Sequence, residues 1–284
     1  MQQFPAIWVD GERTEALPLP DRGLDFGDGL FETLLLRDGR PLLVDYHWQR
    51  LVAGLERLGF PDCRSQVYEQ LMAACGQLTS SPWTALRLTV SRGGAPRGYA
   101  PPAAATPRVV ISAAPLAQDR QQFPEPTQLE WAEIRWSAQP VLAGIKHLNR
   151  LEQVLARSEW TDPQIAEGLM CDGRGRLIGG TMSNLFLVAG DALVTPAINS
   201  CGIAGTVRSK VMEIAAEEGL QVREADIEPS DLDKAEAAFL TNALIGVWPV
   251  RQLENIPFDL GRLPASLIER VRRAAFTPGG WSTD

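Results

Sequence analysis

The segment FETLLLRDGRPLLVDYHWQRL, residues 31–51, constrains the fold more than any other stretch of the chain. An apolar run ends at Asp38-Gly39, a dipeptide that favours a tight hairpin reversal, and a second apolar run follows. The spacing then changes from a strand's period to a helix's. Leu51, Leu55 and Leu58 share one face, so a helix is expected over about 46–58, stopped by Gly59. Strand, turn, strand and helix in immediate succession place the chain among mixed α and β folds.

The same punctuation continues along the chain. AIWVDGERT reads as a strand entering a turn at Asp10-Gly11, a second helix is expected over 65–77, and TALRLTVSRGG and PRVVISAAPL read as strands. Between those strands lies SRGGAPRGYAPPAAATP, a loop long enough to suggest a function. The Pro-rich stretch LAQDRQQFPEP marks a boundary. A smaller N-terminal α/β domain is expected over 1–115, a linker over 116–126, and a larger domain over 127–284. The larger part reads as a strand at QLEWAEIRW, a helix at NRLEQVLARSEW and a run of strands through EGLMCDGRGRLIGGTMSNLFLVAGDALVTP. A helix at TVRSKVMEIAAEEGL, a buried strand within AEAAFLTNALIGVWPV and a final helix at PASLIERVRRAAF complete it. The expected class is mixed α/β (α+β) in two domains, not a regular βαβ series.

Charge and residue usage exclude several functions. A net charge of -8 over 284 residues argues against nucleic acid as a partner, because phosphate backbones need a basic face. It leaves room for a small anionic substrate, since a few arginines create a local positive field. The four cysteines form no CxxC pair and read as buried free thiols in a reducing compartment. MQQFPAIWVDGERT lacks the basic start and apolar core of a signal peptide, and no apolar run is long enough to span a bilayer. A cytoplasmic protein with no membrane partner is expected. Two histidines exclude a histidine-rich metal site, and no metal is expected. There is no Walker A loop and no GxSxG elbow, and Gly173, Gly175 and Gly179 lie in a strand-turn-strand setting unlike a dinucleotide fingerprint.

What remains is an unusual lysine. The chain has three, Lys146, Lys210 and Lys234, and Lys146 closes the apolar run VLAGI. A lysine held in apolar surroundings loses solvation of its charged form, so its neutral amine becomes available as a nucleophile toward an aldehyde or as a base. The plainer alternative is a lysine snorkelling from a strand end into water.

The string GIKHLNRLEQVLAR, with RGLDFGDGLFET, HWQRL, SRGGAPRGY, SNLFLV, GIAGTVR and FLTNALIGVWPV spread along the chain around it, resembles the fold-type IV pyridoxal-phosphate (PLP) enzymes. These are the branched-chain and D-amino-acid aminotransferase-like proteins, and within them the string is most similar to the aminodeoxychorismate lyases. The resemblance implies two α/β domains with PLP between them, assembled as a homodimer. It implies that Lys146 bonds to PLP and moves the substrate proton. Arg50 on the first helix would hold the PLP phosphate, with the backbone of Thr206 and Val207 at a helix start and with Asn242 and Ala243 in a later turn. Arg97, with Tyr99 beside it, would bind the substrate carboxylate, in its own site or in that of its partner in the dimer, and Arg92 lies in the same loop. Strand alternation sends Phe31 and Thr33 to one face, with Phe31 a substrate-facing candidate and Thr33 a candidate for orienting the lysine. Asn149 and Arg150 are expected to follow Lys146 on a helix, and Leu151 stands where some relatives have a tyrosine.

The sequence departs from the family at one position. The glutamate that normally pairs with the pyridine nitrogen lies five residues before the asparagine of SNLFLV; here that asparagine is Asn184 and the position holds Gly179. Another acid such as Glu167 or Asp172, a water or main-chain group, or a reaction that needs a weaker electron sink would each account for it. The implied reaction is elimination of pyruvate from aminodeoxychorismate to give 4-aminobenzoate. The alternatives are a D- or branched-chain aminotransferase on the same scaffold, and a non-catalytic protein that binds PLP or another phosphate.

Overall fold

A computed structural model describes residues 6–279. Residues 1–5 of the N-terminal segment read above lie outside the described residues. The described chain divides into two compact units, one of residues 6–120, 145–149 and 277–279, the other of 121–144 and 150–276. The chain thus leaves the first unit at residue 120, inside the Pro-rich stretch, and returns to it briefly around Lys146.

The first unit is a six-stranded antiparallel sheet. Its strands are β1 (Ala6–Val9), β2 (Glu12–Arg13), β3 (Gly29–Arg37), β4 (Arg40–Pro41), β5 (Trp83–Ser91) and β6 (Arg108–Pro115), in the order β2-β1-β6-β5-β3-β4. Three helices accompany it: α1 (Arg22–Phe26), α2 (Val44–Arg57) and α3 (Arg64–Gly76). Leu34, Leu35 and Leu36 are all buried, so β3 is covered on both faces. Leu51 and Leu55 of α2 and Val67 and Leu71 of α3 supply the helical side of the core, as the leucine spacing requires.

Lys146 is not on a helix. Residues 146–148 form an isolated antiparallel bridge to the start of β3, with Leu30 opposite His147. The Phe31 N–H donates to the Lys146 carbonyl at 2.8 Å, and the Leu148 N–H donates to the Gly29 carbonyl at 3.0 Å. Those bonds claim the main chain that a helix would need, so the helix expected here begins only at Leu151. Asn149 belongs to the extended segment and Arg150 caps the helix.

The second unit holds a nine-stranded sheet. Its strands are β7 (Thr127–Trp131), β8 (Ile165–Cys171), β9 (Leu177–Gly180), β10 (Asn184–Ala189), β11 (Ala192–Pro196), β12 (Gln221–Ala225), β13 (Ala237–Asn242), β14 (Gly246–Leu253) and β15 (Ile256–Pro257). The order is β12-β11-β10-β13-β14-β7-β8-β9, with β15 pairing β14, and parallel pairs β11/β12, β14/β7 and β7/β8 among antiparallel ones. Helices α4 (Leu151–Arg157), α5 (Thr206–Glu217) and α6 (Ala265–Ala275) belong to it. Phe186 and Phe239 face each other across β10 and β13 and stack at 5.0 Å between ring centroids, fixing that register in the core. No helix among the described residues is long and apolar enough to cross a membrane.

Gly29 is where β3, β5 and the 146–148 segment converge. A Cβ there would lie 2.5 Å from the Val90 carbonyl oxygen and 2.8 Å from the Leu148 side chain. Gly29→Ala is therefore expected to lower stability by about 1–3 kcal/mol. Urea denaturation checks this: an unchanged midpoint would mean that the close approach carries no energy.

Candidate active site

Along β3 the side chains alternate, and the two faces differ in chemistry. Phe31 and Thr33 face one way. The Lys146 Nζ lies 4.4 Å from the centroid of the Phe31 ring, and the Arg87 guanidinium carbon, reaching from β5, lies 3.8 Å from it. Arg87 is the Cα partner of Thr33, so phenylalanine, threonine, arginine and lysine share one patch of the sheet. An aromatic face attracts both cations and shields the half-buried Lys146 amine from part of its water. Arg87 escaped the sequence reading; its signal is the register of β5 against β3, which sequence alone does not supply.

The opposite face of β3 carries Glu32, which is 1% exposed. Its carboxylate accepts from Arg50 Nε at 2.8 Å, from a second Arg50 nitrogen and from His47 Nδ1 at 2.6 Å. His47 and Arg50 are three residues apart on α2 and so lie on one helix face. Burial alone would raise the Glu32 carboxyl, but Arg50 and His47 together hold it at about 2. Burial pushes the His47 imidazole below its ordinary range, against the pull of Glu32, and the charges of Arg50 and Lys146 push the same way. At neutral pH the group is then an ionised carboxylate, a guanidinium and a neutral imidazole that donates its Nδ1–H. Arg50, the residue expected to hold a phosphate, is thereby held in a forked pair with its side chain 11% exposed.

The 91–107 loop separates its arginines. Arg92 is buried and structural: its Nε donates to Asp28 at 2.8 Å, and its other nitrogens donate to the Leu58 and Gly59 carbonyls. All three of its nitrogens are engaged inside the first unit. Arg97 and Tyr99 are exposed, and the Tyr99 ring packs 5.3 Å from Phe26.

In the second unit, α5 begins at a loop rather than at a side-chain cap. Gly205 is its N-cap and has no side chain to offer, so Thr206 occupies the first helical position rather than the cap. Thr206 and Val207 are buried. The Asn184 side chain donates to the Ile203 carbonyl at 2.9 Å and presses so closely on Gly205 that no Cβ fits there. Asn184 also pairs with Thr241 on β13. It therefore ties the approach to α5 to the end of the strand that carries Asn242. Asn242 Oδ1 accepts from the Leu244 and Ile245 N–H groups at 3.0 and 2.8 Å, which folds Ala243 into the turn before β14. The Thr241 hydroxyl is buried with no hydrogen-bond partner among the described residues. The glycine-capped start of α5 presents main-chain N–H groups of the kind that suit a phosphate monoester, and the same unit holds the unsatisfied Thr241 hydroxyl.

Neither acid considered as a replacement at Gly179 has spare capacity. Glu167 is fully buried. Its carboxylate accepts from the Thr181 hydroxyl at 2.5 Å, the Ser183 hydroxyl at 2.8 Å, and the N–H groups of Thr181, Met182 and Gly168. Burial nevertheless raises its pKa, because none of these donors is charged. Asp172 is bound to the Arg176 guanidinium and to the Arg174 and Arg176 N–H groups. Gly179 itself has a φ of 156°, and a Cβ there would lie 2.9 Å from the Ser183 carbonyl oxygen. The backbone at this position is shaped for glycine.

Two outcomes follow from these environments. His47 has a lowered folded pKa, so below its unfolded value the unfolded chain binds the extra proton and stability falls with pH. Between pH 7.5 and 5.5 this costs up to about 1.4 kcal/mol, and His47→Gln removes that contribution from the pH dependence of thermal unfolding. Equal pH slopes in the two proteins would contradict a buried neutral imidazole. Glu167→Ala leaves three N–H groups and two hydroxyls without their acceptor and is expected to cost about 2–4 kcal/mol, with Glu167→Gln milder; chemical denaturation of both variants checks the order.

Comparison with known proteins is consistent with these features. The family model for amino-transferase class IV matches residues 29–253. A curated aminodeoxychorismate lyase from Vibrio harveyi is 35% identical over 272 residues, covering 92% of this chain and 97% of the relative. The crystal structure of 4-amino-4-deoxychorismate lyase from Pseudomonas aeruginosa is 42% identical and superposes with a TM-score of 0.88, covering 94% of this chain and 98% of that one. A branched-chain amino acid aminotransferase from Escherichia coli is 25% identical and superposes with a TM-score of 0.79, covering 96% and 94% of the two chains.

Proposed function

The chain belongs to the amino-transferase class IV family, and we propose that within it the protein is a PLP-dependent aminodeoxychorismate lyase of the cytoplasm, releasing pyruvate and 4-aminobenzoate. The observation that carries the reading is the Lys146 amine set 4.4 Å from the Phe31 ring on a segment bonded to β3. Identity of 42% to a lyase structure, against 25% to an aminotransferase structure, supports the lyase over the transaminase reading.

PLP, when bound, supplies an electron-withdrawing ring conjugated to the amine-bearing carbon of the substrate. Arg50, kept in place by Glu32, would hold the PLP phosphate. The N–H groups of Thr206 and Val207, with Asn242 and Ala243, are the other groups that would hold it. Lys146 Nζ takes the proton from the amine-bearing ring carbon and delivers a proton to the departing enolpyruvyl group, which leaves as pyruvate while the ring becomes aromatic. Thr33 orients Nζ, and Phe31 keeps water from it. Arg97 binds a substrate carboxylate through its guanidinium fork, with Tyr99 beside it.

Gly179 fits this chemistry. Aromatisation drives the elimination, so the reaction tolerates a weaker electron sink than transamination does. With Glu167 and Asp172 occupied by their own turns, a neutral partner at the ring nitrogen is the reading we adopt. A homodimer is part of the proposal. It is supported by Leu151, Val154 and Leu155, which leave an apolar stripe exposed on α4 at helical spacing. Light scattering at twice the chain mass of 31.1 kDa is the expected result.

The test supplies aminodeoxychorismate, freshly made from chorismate, and follows 4-aminobenzoate and pyruvate together. Equal formation of both is expected, with Lys146→Ala reducing turnover by at least about 10³-fold. Amino transfer to 2-oxoglutarate without 4-aminobenzoate would replace the lyase by an aminotransferase. Bound PLP with neither activity, unchanged by Lys146→Ala, would leave a binding protein.

A further inference from the structure

RGLDFGDGLFET contributes only its last residues to the chemistry above; its first arginine has a separate role. Arg22 is 4% exposed and opens α1. Its Nε donates to Asp28 at 2.8 Å, and the same carboxylate oxygen accepts from Arg92 Nε at 2.8 Å. The remaining Arg22 nitrogens do not meet acids. They donate to the carbonyls of three successive residues: Gly98 at 2.9 Å, Tyr99 at 2.8 Å and Ala100 at 3.4 Å. The Arg22 N–H also donates to the Gly93 carbonyl at 2.9 Å. One residue thus holds the 91–107 loop at its start and near its middle. Its guanidinium lies 4.9 Å from the Phe26 ring, which in turn packs on Tyr99. The anchor is itself anchored: Asp21 caps α1 through the Gly23 and Leu24 N–H groups and accepts from Ser91 and Arg108, on β5 and β6.

We infer that Arg22 is a positioning residue for substrate recognition, fixing the backbone beside Arg97 so that the Arg97 guanidinium meets a carboxylate already ordered. Burying a guanidinium against main-chain carbonyls commits a charged donor to a loop that is otherwise exposed, and a loop held in this way loses less entropy when its neighbouring side chain binds a ligand. The inference rests on the reading of Arg97 as the carboxylate-binding residue. It adds that the grip on the substrate is set from α1, by a residue that touches no substrate.

Arg22→Lys keeps the charge facing Asp28 and cannot reach three carbonyls. Two measurements on the holoenzyme test it. Trypsin cleavage after Arg97 should accelerate about tenfold, the loss expected for one to two neutral-acceptor hydrogen bonds, while the melting temperature stays within a few degrees. KM should rise about tenfold with kcat changed less than about threefold, because the backbone beside Arg97 is no longer held in place and the proton-moving lysine is untouched. Unchanged cleavage would overturn the proposal, since Arg22 would then not hold the loop. Faster cleavage with unchanged KM would overturn its link to recognition. Arg97→Ala measured in parallel separates the causes: if its KM is also unchanged, the reading of Arg97 has failed and not the strap. Should Arg22→Lys fail to fold, Phe26→Leu removes the ring contact with Tyr99 without disturbing a buried charge, and the same two readouts should move in the same direction.

Discussion

One main-chain hydrogen bond, from the Phe31 N–H to the Lys146 carbonyl, supports the chemistry proposed for this chain. It makes residues 146–148 an added strand-like segment on β3, a strand buried along most of its length. The lysine inherits that rigidity. Strand alternation then separates two tasks across one backbone: Phe31 meets the amine, and Glu32 faces Arg50 and His47. A shift of one residue in this register would exchange the faces and place the carboxylate beside the amine.

The two buried glutamates show how partner chemistry decides protonation. Glu32 has a guanidinium and an imidazole N–H, and a full charge opposite it outweighs the penalty of burial. Glu167 has five donors, more than Glu32, yet all are neutral, and burial wins. Glu32 therefore serves as a fixed negative charge that orients an arginine, whereas Glu167 serves as a hub that shapes the 180–183 turn next to Gly179. The same contrast explains why Glu167 is a poor substitute for a carboxylate missing at Gly179: its acceptor sites are already used within its own turn.

Much of the fold was legible from turns and spacing. Asp10-Gly11 and Asp38-Gly39 fall at real reversals, and the leucines of α2 and the TVRSKV helix lie where their periodicity puts them. The local pattern misled at Lys146, where KHLNRLEQ looks helical throughout. A tertiary bond from Phe31 overrides the propensity of its first residues. Long-range side-chain partners were not legible: Arg22 and Gly98 are far apart in sequence, and Arg87 reaches Phe31 only through the β3/β5 register. Arg92 and Arg97 read alike as loop arginines, and only packing separates a buried brace from an exposed side chain.

The central claim is that, of three lysines, Lys146 is the one poised to react. Lys146 lies on the segment bonded to β3, with its Nζ 4.4 Å from the centroid of the Phe31 ring. The most direct measurement is to reduce the PLP-loaded protein with borohydride, digest it and map the pyridoxyl mass by peptide sequencing. The label is expected on the Lys146 peptide alone. A label on Lys210 or Lys234, or no stable label on a protein that retains the cofactor's absorbance, would contradict it.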